Sequence, residues 1–86
     1  MNNVIMRSVA LTTEYQPLSA VKLIGSVTIS APPTNSANVL FENDHSQLPP
    51  VPWVPGEWHE FRSVNLAEIV VKGTPGDFIT VVGGTW

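Results

Sequence analysis

With 86 residues, no cysteine and four Lys/Arg against seven Asp/Glu (net charge −3), the chain reads as one small domain that neither a disulfide nor a thiolate-bound metal braces. Four scattered cations, Arg7, Lys22, Arg62 and Lys72, cannot form the basic stripe that phosphate backbones or anionic lipids need, so neither nucleic acid nor membrane is expected as a partner. Charged residues make up 13% of the chain, about half the usual share, so a protein interface is expected to cover part of the surface, with homo-oligomerisation supplying stability that a small core lacks.

Strand signals dominate from the N-terminus onward. The segment Met1–Tyr15 is broken by Arg7, too interrupted for a signal peptide and too short for a membrane span, so synthesis and folding in the cytoplasm are expected. Within it Val4–Thr13 is rich in apolar and β-branched residues and predicts a first strand, with residues 1–5 as an N-terminal arm. Val21–Ser30 alternates, placing Val21, Leu23, Gly25, Val27 and Ile29 on one face and mostly polar residues on the other. Ala31-Pro32-Pro33-Thr34-Asn35 ends that strand, because proline donates nothing to a ladder. Asn38–Glu42 predicts a short third strand.

Residues 43–56 hold four of the chain's eight prolines and show no periodicity, which predicts a long stiff loop carrying Trp53. Strands are then predicted over Glu57–Arg62, Glu68–Lys72 and Asp77–Val82, with at most one helical turn at Val64–Ile69. Gly73-Thr74-Pro75-Gly76 joins the last two. Pro-Gly is the preference of a type II turn, and the spacing predicts a hairpin there. Residues 83–86 follow as a C-terminal tail. The expected architecture is all-β: a single antiparallel sandwich or barrel over residues 1–86, with six to seven short strands and a long Pro-rich loop. Its core draws on Val21, Leu23, Val27, Ile29, Val39, Phe41, Ile69, Val71, Ile79 and Val81.

Little in the chain suggests chemistry. His45 and His59 with Asp44 and Glu60 match no close-ligand spacing, and no cofactor or metal is expected. No nucleophile elbow is present, Glu57 and Glu60 are spaced to face opposite sides of a strand, and Gly83-Gly84 precedes no helix, so the chain is not expected to be an enzyme. The tryptophans Trp53, Trp58 and Trp86 serve one of three purposes: packing within the domain, anchoring a neighbour, or stacking on sugar rings. Trp58 is expected in the core. Candidate partner contacts are Ile5 in the arm, Val51, Trp53 and Val54 in the loop, and Trp86 at the end.

The run Ala31-Pro32-Pro33-x-Asn35, Asn38-Val39, Pro55-Gly56-Glu57 and Leu66-x-x-Ile69-x-Val71-Lys72-Gly73-Thr74-x-Gly76-Asp77 resembles a small β-domain of tailed-phage and prophage virion proteins. The resemblance spans most of Val9–Val82 and consists mainly of turn chemistry. The loop Asp44–Val54 and the terminal Gly-Gly-Thr-Trp depart from the pattern. It implies a non-enzymatic part of a virion, foremost a capsid decoration (cement) protein on the capsid surface that binds the major capsid protein or another virion protein. A carbohydrate-binding module of a head or tail fibre and a head–tail connector component are the alternatives. One test of the strand assignment comes from Ile79. Its replacement by Ala should cost about 2–5 kcal/mol in denaturant unfolding, and a cost under about 1 kcal/mol would mean that the register of the predicted hairpin is wrong.

Overall fold

The computed structural model describes residues 3–43 and 50–85. Eight strands form in chain order: β1 (Asn3–Ala10), β2 (Gln16–Pro17), β3 (Ile24–Ser30), β4 (Val39–Asn43), β5 (Val51–Trp53), β6 (Trp58–Asn65), β7 (Ile69–Lys72) and β8 (Phe78–Thr85). They make two four-stranded antiparallel sheets, ordered β1-β8-β3-β6 and β2-β7-β4-β5. Of the sandwich or barrel of six to seven strands expected from the sequence, a sandwich forms, with eight.

The pairing has a simple generator. β1 pairs with β8, β2 with β7, β3 with β6 and β4 with β5, which are the nested pairs of one long hairpin whose innermost strands are β4 and β5. Rolling that hairpin adds the β8–β3 and β7–β4 ladders and divides it into two sheets. This is the strand order of a jelly roll, in which every connection except β4–β5 passes from one sheet to the other.

Side chains obey the period of two. In β3, Gly25, Val27 and Ile29 point inward and Ser26, Thr28 and Ser30 outward. Ile79 and Val81 of β8, Val39 and Phe41 of β4 and Val71 of β7 meet them between the sheets, joined by Leu11, Leu18, Ala31 and Leu66 from the corners. Full burial of each large aliphatic side chain contributes about 1.5–3 kcal/mol. Gly83 lies where strands crowd: a Cβ there would meet the Ser26 carbonyl oxygen at 2.1 Å, so only glycine lets β8 approach β3 this closely.

The structure corrects several expectations. Val21 is 69% exposed, because residues 18–23 form a corner and not a strand. That corner is tied by the Ser19 hydroxyl, which donates to the Val21 carbonyl, and by Leu23 N–H, which donates to Asn65 Oδ1. Gly73–Asp77 contains the expected turn, with Asp77 N–H donating to Thr74 O and Gly76 at φ +100°, but it does not close a hairpin. β7 and β8 belong to opposite sheets, and the turn is a corner between them. Residues 3–5 are part of β1 and Gly83–Thr85 part of β8, so neither is a free arm or tail. Of the expected loop 43–56, Val51–Trp53 is strand and Val54–Glu57 a second Pro-Gly turn, with Gly56 at φ +94°; residues 44–49 lie outside the described residues. The single helical turn is a 3-10 turn at Leu66–Glu68, capped by the Asn65 side chain.

β6 carries a bulge. Its register to β3 shifts between Gly25 and Val27, so that Arg62 and Ser63 together oppose Ser26. Ser63 sits at φ +53°, and its N–H donates to Ser26 Oγ at 3.1 Å. A non-glycine residue in the left-handed region costs about 1–2 kcal/mol, and glycine in a strand costs about 0.5–1 kcal/mol. Ser63→Gly should therefore raise stability by about 0.5–1 kcal/mol in denaturant unfolding, whereas Ser63→Val should lower it.

Candidate functional site

At one end of the sandwich four corners are laced together by hydrogen bonds. Leu11 N–H donates to Asp77 O and Gly73 N–H to Thr12 O, joining the first corner to the last. Ala31 N–H donates to Glu57 O and Gly56 N–H to Ala31 O, joining the two middle ones. Asn35 and Asp77, both buried, link the pairs. The Asn35 amide donates to Phe78 O at 2.8 Å while its Oδ1 accepts Phe78 N–H at 3.1 Å. The Asp77 carboxylate accepts from Ser36 N–H, Ser36 Oγ and Ala37 N–H. The Ser36 backbone donor, with help from its hydroxyl and Ala37, holds the Asp77 carboxyl below its usual range despite the opposing effect of desolvation. Among the described residues no buried side-chain nitrogen or oxygen lacks a partner, so this cluster is saturated and structural.

A groove of about 500 Å³ opens where β6 parts from β4 and β5. Its lining is aromatic: Phe41 stacks on Trp53 with centroids 3.8 Å apart, Phe61 lies parallel to Trp53 at 6.3 Å, and His59 meets Trp53 edge-on at 4.7 Å. Val51 and Ile69 complete the wall, with Glu42 and Glu60 at the rim. His59 Nε2 lies 2.6 Å from Glu57 Oε2, and Val54 N–H donates to the other carboxylate oxygen. The His59 hydrogen bond, followed by that from Val54, lowers the Glu57 carboxyl. Both contacts hold the second Pro-Gly turn against the start of β6. No group of three metal-binding side chains occurs among the described residues.

The outer face of the β1-β8-β3-β6 sheet has a different character. Register places Met6 beside Val82 and Val82 beside Thr28; the adjacent rows run Val4, Gly84, Ser26 and Ser8, Thr80, Ser30, Trp58. Charge appears on this face only at its β6 margin, as Glu60 and Arg62. Val4, Met6 and Trp58 are 77%, 72% and 59% exposed. The outer face of the other sheet, by contrast, carries Glu42 and Lys72, with the Lys72 ammonium 4.6 Å from the centre of the Tyr15 ring.

The five predicted contact residues do not form one surface. Ile5 (5% exposed) packs into the core from β1, and Trp53 (4%) is buried by Phe41, so neither serves as an exposed anchor. Val51 and Val54 are exposed near the groove, and Trp86 lies outside the described residues. Trp58, expected inside, is on the outer face because it pairs with outward-pointing Ser30. Trp53 and Trp58 therefore lie on opposite sides of the sheet and make no common stacking platform. The apolar residues of the outer face were not singled out from sequence. Their signal is the alternation of Val4, Met6 and Ser8 against Ile5, Arg7 and Val9, which shows two faces without telling which is inside.

Compared with family models, curated proteins and solved structures, the chain matches none of them.

The Asp77 contacts fix a pH dependence. With its folded-state pKa below the unfolded value, ionised Asp77 stabilises the fold fully above the unfolded pKa, and this contribution is lost as pH falls through the folded one. Asp77→Asn should be less stable than the parent at neutral pH, and urea unfolding at descending pH should show that gap closing below about pH 4. A constant gap would contradict the assignment.

Proposed function

We propose that this chain is a non-enzymatic virion structural protein, a capsid decoration (cement) protein that docks on the major capsid protein or another virion protein at the capsid surface. The observation that carries the reading is the outer face of the β1-β8-β3-β6 sheet. It is a broad, pleated surface of Ser, Thr, Val and Met side chains whose charge is confined to one margin. Such a face loses little on desolvation and gains from apolar contact, which suits a protein that must cover another protein. The turn segments that resemble virion β-domains supply the setting, and jelly rolls recur in viral capsid and lectin domains. A fold of this kind is shared by unrelated functions, so the weight rests on the face.

A second reading, carbohydrate recognition on a head or tail fibre, draws on the groove, where Phe41, Trp53 and Phe61 lie close to His59, Glu42 and Glu60. The burial of Trp53 and the outward placement of Trp58 remove the flat pair of rings that this reading needs, which leaves it second.

Titration onto undecorated tailed-phage capsid shells, followed by sedimentation, tests the first reading. The protein should co-sediment at a fixed saturating ratio, and Val82→Glu, which places a charge in the middle of the outer face, should weaken binding about tenfold or more without unfolding the domain. Failure to bind shells, together with glycan-induced quenching of tryptophan fluorescence, would transfer the assignment to the groove.

A further inference from the structure

The two sheets end in four edge strands, and three of these are protected against pairing. β2 is two residues long and ends on Pro17, and β5 is three residues long with Pro52 at its centre. β6 is longer but carries His59, Glu60, Arg62 and the Ser63 bulge. Prolines, charges, bulges and shortness are the usual means of keeping an edge from taking up another strand. β1 has none of them beyond Arg7. It runs eight residues in unbroken register with β8, and among the described residues no strand pairs with its other side.

The direction of its backbone groups follows from one hydrogen bond. Leu11 N–H donates to Asp77 O, directly opposite, so odd-numbered residues of β1 turn their N–H and C=O toward β8. Even-numbered residues turn theirs to the free edge. Ala10 agrees, since its carbonyl accepts from the Gln16 side chain instead of from β8. The groups left facing outward are those of Val4, Met6 and Ser8.

We propose that β1 is the homodimer interface of this protein, pairing antiparallel with β1 of a second copy about a two-fold axis at Met6. The second copy is the occupant because the edge is complementary to itself. Pairing Met6 with Met6 of the partner copy sets Val4 against Ser8 in both directions and makes about six backbone hydrogen bonds. It sets Arg7 opposite Ile5 and away from the other Arg7. Moving the axis one residue toward the C-terminus, a register slip of two, would set Arg7 on Arg7. A slip the other way would match Val4 with Met6 and leave Ser8 without a described counterpart. The Met6 pairing also continues the outer face across the axis, so that Val82, Met6 and their two-fold mates form one apolar row in an eight-stranded sheet. The inference stands on the strand edge and is independent of the virion reading.

The test uses the full chain, its mass measured by sedimentation equilibrium at micromolar concentrations. The parent should be a dimer. Met6→Lys, which sets two ammonium groups together at the axis while leaving an exposed position, should weaken association about tenfold or more while the circular dichroism spectrum stays that of the folded parent. Met6→Cys in this cysteine-free chain should oxidise to a covalent dimer, since paired Cα atoms there are about 5.5 Å apart. Val82→Cys should not, because its two-fold mate is three strand spacings away, roughly 14 Å. A folded monomeric parent, or a dimer indifferent to Met6→Lys, would overturn the proposal. So would a monomer whose binding to shells is abolished by Met6→Lys, because β1 would then take a strand of the shell protein.

Discussion

The clasp between Asn35, Asp77 and the backbone at Ser36, Ala37 and Phe78 is the contact on which the rest of this structure depends. The corner from β3 to β4 and the corner from β7 to β8 each carry the chain between sheets, and they are more than forty positions apart in sequence. Asn35 prolongs the β3–β8 ladder by mimicking a strand residue, giving and accepting one hydrogen bond at Phe78. Asp77 neutralises the donors of the opposing turn. Both side chains are short, so the corners are held at a fixed separation, which sets how far apart the sheets start. A buried amide or carboxylate left without these partners would lose more than its hydrogen bonds contribute, which makes the arrangement close to all-or-none. The two Pro-Gly turns stand at the same end and share a left-handed glycine followed by an acidic residue: Asp77 reaches across to the corner at Ser36, while Glu57 accepts from Val54 within its own turn and meets His59 of β6.

From this end the hairpin rolls up, and the distribution of side chains follows. β8 lies between β1 and β3, so Ile79 and Val81 occupy the middle of the core, while Thr80 and Val82 occupy the middle of the outer face. Gly83 permits the strands to close at the other end. The same placement leaves β1 and β6 as the margins of one sheet, one bare and one guarded by charge and a bulge. The low charge of the sequence thus has a location. Apart from Arg7 of β1, whose side chain donates to the Leu18 carbonyl, the charges among the described residues are gathered on β6, the second sheet and the corners, and the outer face built from β1, β8 and β3 is left uncharged.

Much of the core was legible in the sequence, because alternation in Val27–Ile29, Val39–Phe41, Ile69–Val71 and Ile79–Val81 is a local signal that burial obeys. Fold class was legible for the same reason. The corner chemistry was partly legible: Pro75-Gly76 was read as the turn it is. The same dipeptide predicts a hairpin, because nothing local distinguishes a turn that returns a strand to its neighbour from one that hands it to the facing sheet. The difference lies in Asn35, which is forty-two residues away from Asp77. Trp53 and Trp58 exchanged roles for a related reason. Trp53 sits among prolines, which reads as loop, yet the β4–β5 ladder brings it onto Phe41; Trp58 starts a strand whose phase is fixed by pairing to Ser30. Surface sites depend on phase, edge and partner together, so Val4 and Met6 carried no signal of exposure until β8 was placed beside them.

The position of β8 between β1 and β3 is measured directly by NMR through cross-strand contacts. It predicts nuclear Overhauser effects linking Val81 to both Arg7 and Ile29, and Val82 to both Met6 and Thr28. Contacts between β8 and β7 of the kind a hairpin makes, with none from β8 to β3, would contradict the rolled arrangement and with it the uncharged outer face and the bare β1 edge.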